Sequence, residues 1–338
     1  MRNSLKTRAE AIFKKTVCGI LIVSTVFTAA ACSGGDDKTE TEAPKAEKAA
    51  SVSNGELTGE STVIGVGSTK VLYDEYKIYS WFLKNQYEDV MSAEVWNYTL
   101  EGTTIGQTAI EDILRLIIQI KVMNKAAAAQ GISLGVDEKE DIDYKADQYL
   151  ATIPAEIWEE NGITAERMHA IFEENEISRK MYDVVTGGVE ANIDEASMQA
   201  AKVLMLHLQT KADGSDREAV KGQANALALE LTGYKGNFYS FVKEKTGKAP
   251  EEVIIGKMDS RANLINTALT MQRYTTSGVI EENDGFYLIH CLKSNTSGLN
   301  KVYREQYISE QQNTTFQAAY ENWAEKYEVK VSKSLLAN

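Results

Sequence analysis

Two short apolar runs constrain this chain more than any other feature: residues 202–210, KVLMLHLQT, and residues 285–293, GFYLIHCLK. Each is long enough for one strand and too short for a typical helix. The pattern between them is helical. A polar turn at Asp213, Gly214, Ser215 and Asp216 leads into an alanine-rich amphipathic stretch from Glu218 to Leu231. A second helix restarts through Gly233 to Phe238, and a third spans Leu264 to Met271. Ala201 to Ser294 therefore reads as a small module of sheet and helices inside a chain whose flanks are helical. Strand alternation places Met205 and His207 on one face of the first run and Leu204, Leu206 and Leu208 on the other. On the second run Tyr287, Ile289 and Cys291 share a face, and His290 points away from it.

That order, with these residues, resembles the parvulin-type peptidyl-prolyl isomerase domain. Gly236, Asn237 and Phe238 followed by Phe241 to Glu244 resemble its G-x-D-F-x-x-L-A segment, and residues 264–271, LINTALTM, its F-E-x-A-A-F-x-L helix. Ser277 to Ile280 and Gly285 to Ile289 resemble its S-x-V-V and G-Y-H-I-I closing strand. The resemblance implies an FKBP-like antiparallel sheet with helices, and an active-site face at Met205, His207, Tyr287 and Cys291. Met205 and Tyr287 stand where the family has its two histidines, and residues 252–256, EVIIG, replace its glycine-rich G-D-L-G stretch. Catalytic residues implied in this way are Met205, His207 and Tyr287.

The N-terminus carries Arg2, Lys6, Arg8, Lys14 and Lys15, then an uncharged run from Thr16 to Ala31 that ends in small residues before Cys32. This is the form of a secretory signal and is short of the roughly 20 apolar residues that a membrane span needs. Small residues directly before a cysteine resemble a lipobox, which makes residues 1–31 a lipoprotein signal peptide and Cys32 the lipidated first residue of the mature protein. The alternative is ordinary cleavage with Cys32 left free. Without residues 1–31 the chain has 31 basic and 48 acidic side chains, so the formal charge moves from −13 to −17. An acidic body gives no basis for a nucleic-acid partner, because that binding depends on neutralising phosphates with Lys and Arg. Cys18 leaves with the signal and Cys32 takes lipid, so Cys291 is left without an intrachain disulfide partner.

Residues 32–60, rich in Asp, Glu, Lys, Thr, Ser and Ala, cannot bury enough apolar surface to order themselves and read as a lipidated, flexible linker. Residues 61–198 open with Thr62 to Val66, a Gly67–Ser68 turn, and a helix from near Asp74 with Tyr76, Tyr79, Trp81, Phe82 and Leu83 on a broad face. Gln107 to Gln130 is the clearest helix, with Ile110, Ile113, Leu114, Ile117 and Ile120 or Lys121 in three-four rhythm and Gly131 as its stop. Asp137 and Glu140 have capping-box spacing for a further helix. Thr164 opens another through Met168, Ile171 and Phe172, and Asp194 caps a short helix before the module. This succession resembles foldase lipoproteins of the PrsA and SurA kind. The resemblance implies that residues 297–338, a helix from Tyr303 to Tyr327 and a strand at Glu328 to Ser332, complete the N-terminal lobe, with Val329 and Val331 beside Val63 and Ile64. The fold class expected is α+β: a mainly helical chaperone lobe built from both chain ends, with residues 199–296 inserted as a parvulin-like domain.

His207 reads either as a partly buried strand histidine or as a displaced pocket histidine. Cys291 reads as a small buried hydrophobe, with a nucleophile as the alternative. His169 reads as a solvated helix residue, and three scattered histidines give no metal site and no cofactor motif. The function expected is a lipid-anchored folding factor on the extracytoplasmic face of a bacterial membrane, with unfolded or secreted polypeptides as partners and weak or absent isomerase activity. The alternatives are an active prolyl isomerase and a solute-binding or structural envelope lipoprotein.

Overall fold

The computed structural model describes residues 57–100 and 102–336, so the expected signal peptide, Cys32 and most of the expected linker lie outside the described residues. The architecture is α+β with antiparallel sheets. The chain divides into two compact units. One comprises the described residues up to Gly187 together with those from Asn313 onward, and the other is Gly188–Gln312.

The first, helical unit begins with an antiparallel hairpin of β1 (Thr62–Val66) and β2 (Thr69–Leu72), turned at Gly67 with a φ of +57°. α1 (Tyr73–Met91) has no side-chain cap. Its first two N–H groups instead donate to the carbonyls of Ser61 and Gly59 at 2.9 and 3.1 Å, and Asp74 pairs with Lys77 at 2.8 Å. The aromatic face closes as its spacing predicts: Tyr76, Tyr79, Phe82 and Leu83 are buried and Trp81 is half-buried. A 3-10 turn (Ala93–Asn97) and a two-residue hairpin of β3 (Thr99–Leu100) and β4 (Thr103–Thr104) follow. α2 (Ile105–Ala129) starts on a capping box, with Gln107 N–H donating to Thr104 Oγ1 and Thr104 N–H to Gln107 Oε1, each at 3.1 Å. Ile113, Leu114, Ile117, Ile120 and Met123 are buried. Each fully buried aliphatic of this kind contributes roughly 1.5–3 kcal/mol.

α3 (Val136–Leu150) opens two residues earlier than an Asp137 cap would have it. Only the reaching-back half of a box forms: Glu138 Oε2 accepts from the Gly135 N–H at 2.7 Å, and glycine has no side chain to cap with in return. α4 (Ala155–Asn161) and α5 (Ala165–Thr186) complete the run, and Thr164 Oγ1 accepts from Arg167 N–H at 3.2 Å to open the latter. His169 on α5 is not simply solvated. Its Nε2 lies 2.7 Å from Asp147 Oδ1 and its Nδ1 3.6 Å from Asp143 Oδ1, which ties α5 to α3.

Within the second unit, β5 (Ala200–Gln209) pairs antiparallel with β6 (Glu251–Gly256) on one side and β8 (Gly285–Ser294) on the other, and β7 (Ile280–Glu282) flanks β8. The order is β6-β5-β8-β7. α6 (Arg217–Gly233), α7 (Phe238–Thr246) and α8 (Ala262–Thr270) fill the connections, and Asn237 Oδ1 accepts from Ser240 N–H at 2.8 Å to start α7. Residues 252–256 form an edge strand here, a role their spacing did not reveal because the apolar run is only three residues long, Val253 to Ile255. Alternation along β5 and β8 divides the apolar residues into two layers. Met205, Tyr287 and Ile289 pack with Leu264, Ile265 and Ala268, while Leu206 and Leu288 pack with Phe238, Phe241 and Leu227.

α9 (Ser297–Ala324) starts six residues before Tyr303, and its early part lies within the second unit. There the Tyr303 ring occupies the space beside Gly256, where a Cβ would sit 1.9 Å from Cζ. Later residues of α9, Phe316, Tyr320 and Trp323, join the core of the helical unit. β9 (Val329–Val331) pairs with β1, Val331 opposite Ile64 and Val329 opposite Val66, and α10 (Lys333–Leu336) ends the described chain. First and last strands thus lie side by side in the sheet β2-β1-β9.

Candidate functional site

The strand register brings His207 opposite Tyr287 and Met205 opposite Ile289. The His207 ring lies flat on the Tyr287 ring, with centroids 4.2 Å apart and planes 4° apart. That closeness depends on the turn into β8. Gly285 has a φ of +150°, and a Cβ there would stand 2.3 Å from the Leu208 carbonyl oxygen and 2.9 Å from His207 Nε2. Only a residue without a Cβ lets the two strands close at this end without strain.

Tyr287 is fully buried, and its hydroxyl donates to Asp284 Oδ2 at 2.5 Å. Arg261 Nη1 approaches the same hydroxyl at 3.4 Å, and the guanidinium carbon lies 5.5 Å from the ring centroid. Asp259 fixes the guanidinium through Nε to Oδ1 at 2.9 Å and Nη2 to Oδ2 at 2.6 Å. This fork-to-fork geometry is the strong, directional form of a charged hydrogen bond. His207 Nε2 is 3.4 Å from the Asp284 carbonyl oxygen and 3.9 Å from its Oδ2. Asp259, Arg261, Tyr287, Asp284 and His207 therefore form one continuous polar chain.

Burial, reinforced by Asp284 and opposed by Arg261, pushes the Tyr287 phenol well above its ordinary range. The phenol is a donor and not a base at neutral pH. Burial pulls His207 below its ordinary value despite the neighbouring Asp284 carboxylate, which keeps the imidazole neutral. Burial works to raise Asp259, but the hydrogen bonds from Arg261 outweigh it and hold the carboxyl below its usual range. Nothing here is an activated nucleophile. Cys291 is fully buried, burial pushes its thiol up, and its sulfur sits 3.9 Å from the Met271 carbonyl oxygen. Thiolate chemistry needs the opposite environment.

Of the residues expected on this face, His207 and Tyr287 meet directly. Met205 is 7% exposed and belongs to the apolar layer under α8, a wall residue with no polar partner. His290 occupies the other face, stacked on Phe238 at 5.8 Å, with Nδ1 2.8 Å from Thr276 Oγ1. Asp259, Arg261 and Asp284 escaped the sequence reading. The Asn283-Asp284-Gly285 turn is a hairpin signal that places an acid at the mouth of the strand pair, whereas nothing in the local pattern aims Arg261 at Tyr287. Among the described residues no group of three or more His, Cys, Asp or Glu side chains is placed to hold a metal ion, and no helix is long and apolar enough to cross a membrane.

No protein-family model matches the sequence, and no curated protein does. Solved structures that align with it include a SurA-like chaperone of Campylobacter jejuni, at 13% identity over 81% of this chain and 99% of that one, with a TM-score of 0.29. The peptidylprolyl isomerase PrsA of Bacillus anthracis aligns at 12% identity over 63% and 96% of the two chains, with a TM-score of 0.34. The foldase PrsA of Streptococcus pneumoniae aligns at 16% identity over 68% and 92%, with a TM-score of 0.27. Identities this low and TM-scores below 0.5 leave the function to be argued from this chain's own residues.

Proposed function

We propose that the protein is an extracytoplasmic folding helper for secreted polypeptides, held to the bacterial membrane by lipid on Cys32, with a sheet module of weak or absent prolyl isomerase activity. The observation that carries this reading is topological. A four-stranded antiparallel module of order β6-β5-β8-β7 is inserted into a helical unit whose first and last strands pair through Ile64 and Val331. That is the arrangement which the motif resemblance to foldases of the PrsA and SurA kind implies.

Rotation about a prolyl bond faces a barrier of about 20 kcal/mol, and an isomerase lowers it by holding the amide twisted in a desolvated pocket. Such a pocket needs free apolar walls and uncommitted donors. Met205 is instead packed under α8, and the Tyr287 hydroxyl is engaged by Asp284 and Arg261. Both positions at which the resembled family carries histidine are thereby taken up in internal packing, which supports weak turnover. A second reading, an active isomerase working through His207 and Tyr287, draws on the remaining N–H groups of Arg261, which is only part-buried and has donors to spare for a peptide carbonyl.

Two assays on the full chain separate these. Suppression of aggregation of a chemically unfolded client with little turnover of a proline-containing test peptide is expected. Turnover that Tyr287→Phe abolishes would establish the second reading, and absence of both activities would overturn the folding-helper reading. Incorporation of labelled fatty acid, lost in Cys32→Ser, tests the anchor.

A further inference from the structure

The two units carry very different charge. Residues 57–187 and 313–338 hold 26 acidic and 14 basic side chains, a formal −12, whereas Gly188–Gln312 holds 16 and 14, a formal −2. Of the 14 cations in the helical unit, eight are paired with its own carboxylates among the described residues. The acidic excess is consequently left for solvent or for a partner. Glu156, Glu159 and Glu160 on α4 are exposed and make no ion pair among the described residues.

An aromatic row runs beside that acidic helix. Trp81 on α1 contacts Phe82 at 5.5 Å between centroids, Phe82 contacts Tyr149 on α3 at 5.6 Å, and Tyr149 contacts Phe172 on α5 at 5.9 Å. Phe82 is buried, while Trp81, Tyr149 and Phe172 each keep part of their surface in water. α4 follows directly from the end of α3 that carries Tyr149. Its Glu160 carbonyl accepts from Lys77 Nζ at 3.3 Å, one turn of α1 before Trp81. Carboxylates that make no ion pair among the described residues thus stand on the helix next to ring faces without full cover, and Lys77, the cation that bonds that helix, is already paired with Asp74.

We propose that this row is a docking surface for unfolded polypeptide segments in which Lys or Arg alternates with aromatic or apolar residues. The proposal rests on the folding-helper reading and names its client class. Ring faces attract ammonium and guanidinium groups, and apolar side chains of the same segment cover the remaining ring surface. The unpaired carboxylates raise the local concentration of cationic segments and speed their capture. A segment of equal aromatic content but acidic charge meets like charge at the same place and is held off.

Two unstructured peptides of identical length and aromatic content, one rich in Lys and one rich in Glu, test this by fluorescence anisotropy with the full chain. The Lys-rich peptide is expected to bind, and its association rate to fall about tenfold or more between roughly 20 and 300 mM salt, as screening shortens the reach of the field. Glu156→Lys with Glu159→Lys, both on exposed positions, is expected to weaken it about tenfold at low salt while leaving thermal unfolding unchanged. Trp81→Ala is expected to weaken it without changing the salt slope. Equal binding of both peptides with no salt dependence overturns the client class but leaves the folding-helper reading standing. Binding that ignores the α4 and Trp81 variants overturns the placement, and binding of neither peptide overturns the folding-helper reading as well.

Discussion

In the helical unit a charged side chain sits in the core; in the sheet module none does. Lys121 is 6% exposed on the buried face of α2, with its ammonium 2.7 Å from Glu75 Oε1 on α1 and 2.6 Å from Glu174 Oε2 on α5. Among the described residues no other charged side chain is buried. The module instead splits its apolar residues into two layers and keeps its ionised groups at the margins, with the Asp259–Arg261 pair and Asp284 near one end of the strands. The difference follows from geometry. A helix buried on most of its circumference carries whatever its period brings inside, so three helices must meet the charge together. A strand sends alternate side chains to opposite faces and can leave polar groups at its ends.

The largest test of that contrast is Lys121→Met. It strips two largely buried carboxylates of their shared cation, and breaking a buried ion cluster costs about 3–5 kcal/mol. Urea unfolding followed by hydrogen exchange should show the loss in α1, α2 and α5 and leave β5 and β8 protected. A loss of less than about 1 kcal/mol would mean that the cluster behaves like a surface pair. Gly285→Ala should do the reverse. Its positive φ and the Leu208 carbonyl 2.3 Å from the added Cβ predict a loss of about 3 kcal/mol confined to the module. Tyr287→Phe removes a donor from a buried site and should cost about 1–2 kcal/mol there. Thr104→Ala removes half of a capping box and should cost about 1 kcal/mol in α2.

The smallest effect is the most discriminating, because the units should answer acid with opposite sign. Burial raises Glu174, with Lys121 opposing and Glu75 reinforcing, and burial also raises Asp112. A raised carboxyl contributes stability that is full below its unfolded pKa and lost as pH rises through the folded one. Mild acidification from neutral therefore strengthens the helical unit, apart from an exposed contrary contribution at Glu138, held low by the Gly135 N–H and Lys180. Burial lowers both His207 and His290, so the module is fully stabilised above the ordinary histidine value of about 6.5 and weakens as pH falls toward their folded values. Hydrogen exchange of the two units at about pH 7 and about pH 5 checks this, and a change of the same sign in both would break the contrast.

Much of the fold was legible in the residues. The two runs at 202–210 and 285–293 pair in register with His207 opposite Tyr287, Thr164 and Asp194 each accept a capping N–H, and the three-four rhythm from Ile110 locates α2. Misses cluster where local signals compete or are faint. Asp137 and Glu140 have the right spacing, but Glu138 reaches the Gly135 N–H first. Glu251–Gly256 reads as neither period, and it becomes a strand because β5 offers it an unpaired edge. The candidate site was half visible, since alternation supplies His207 and Tyr287 but says nothing of an arginine arriving from the start of α8.

The sequence alone determined the alternation that sorts β5 and β8 into two faces, the helical stripes of α1, α2 and α5, and the acidic balance of the whole chain. These depend on residue order over a few turns or on simple counts. Only the tertiary structure decided that Lys121 would be shared by Glu75 and Glu174 and that Tyr287 would be claimed by Asp284 and Arg261. Those outcomes depend on which surfaces meet across tens of residues, where burial and register set the partner and spacing along the chain carries no record of it.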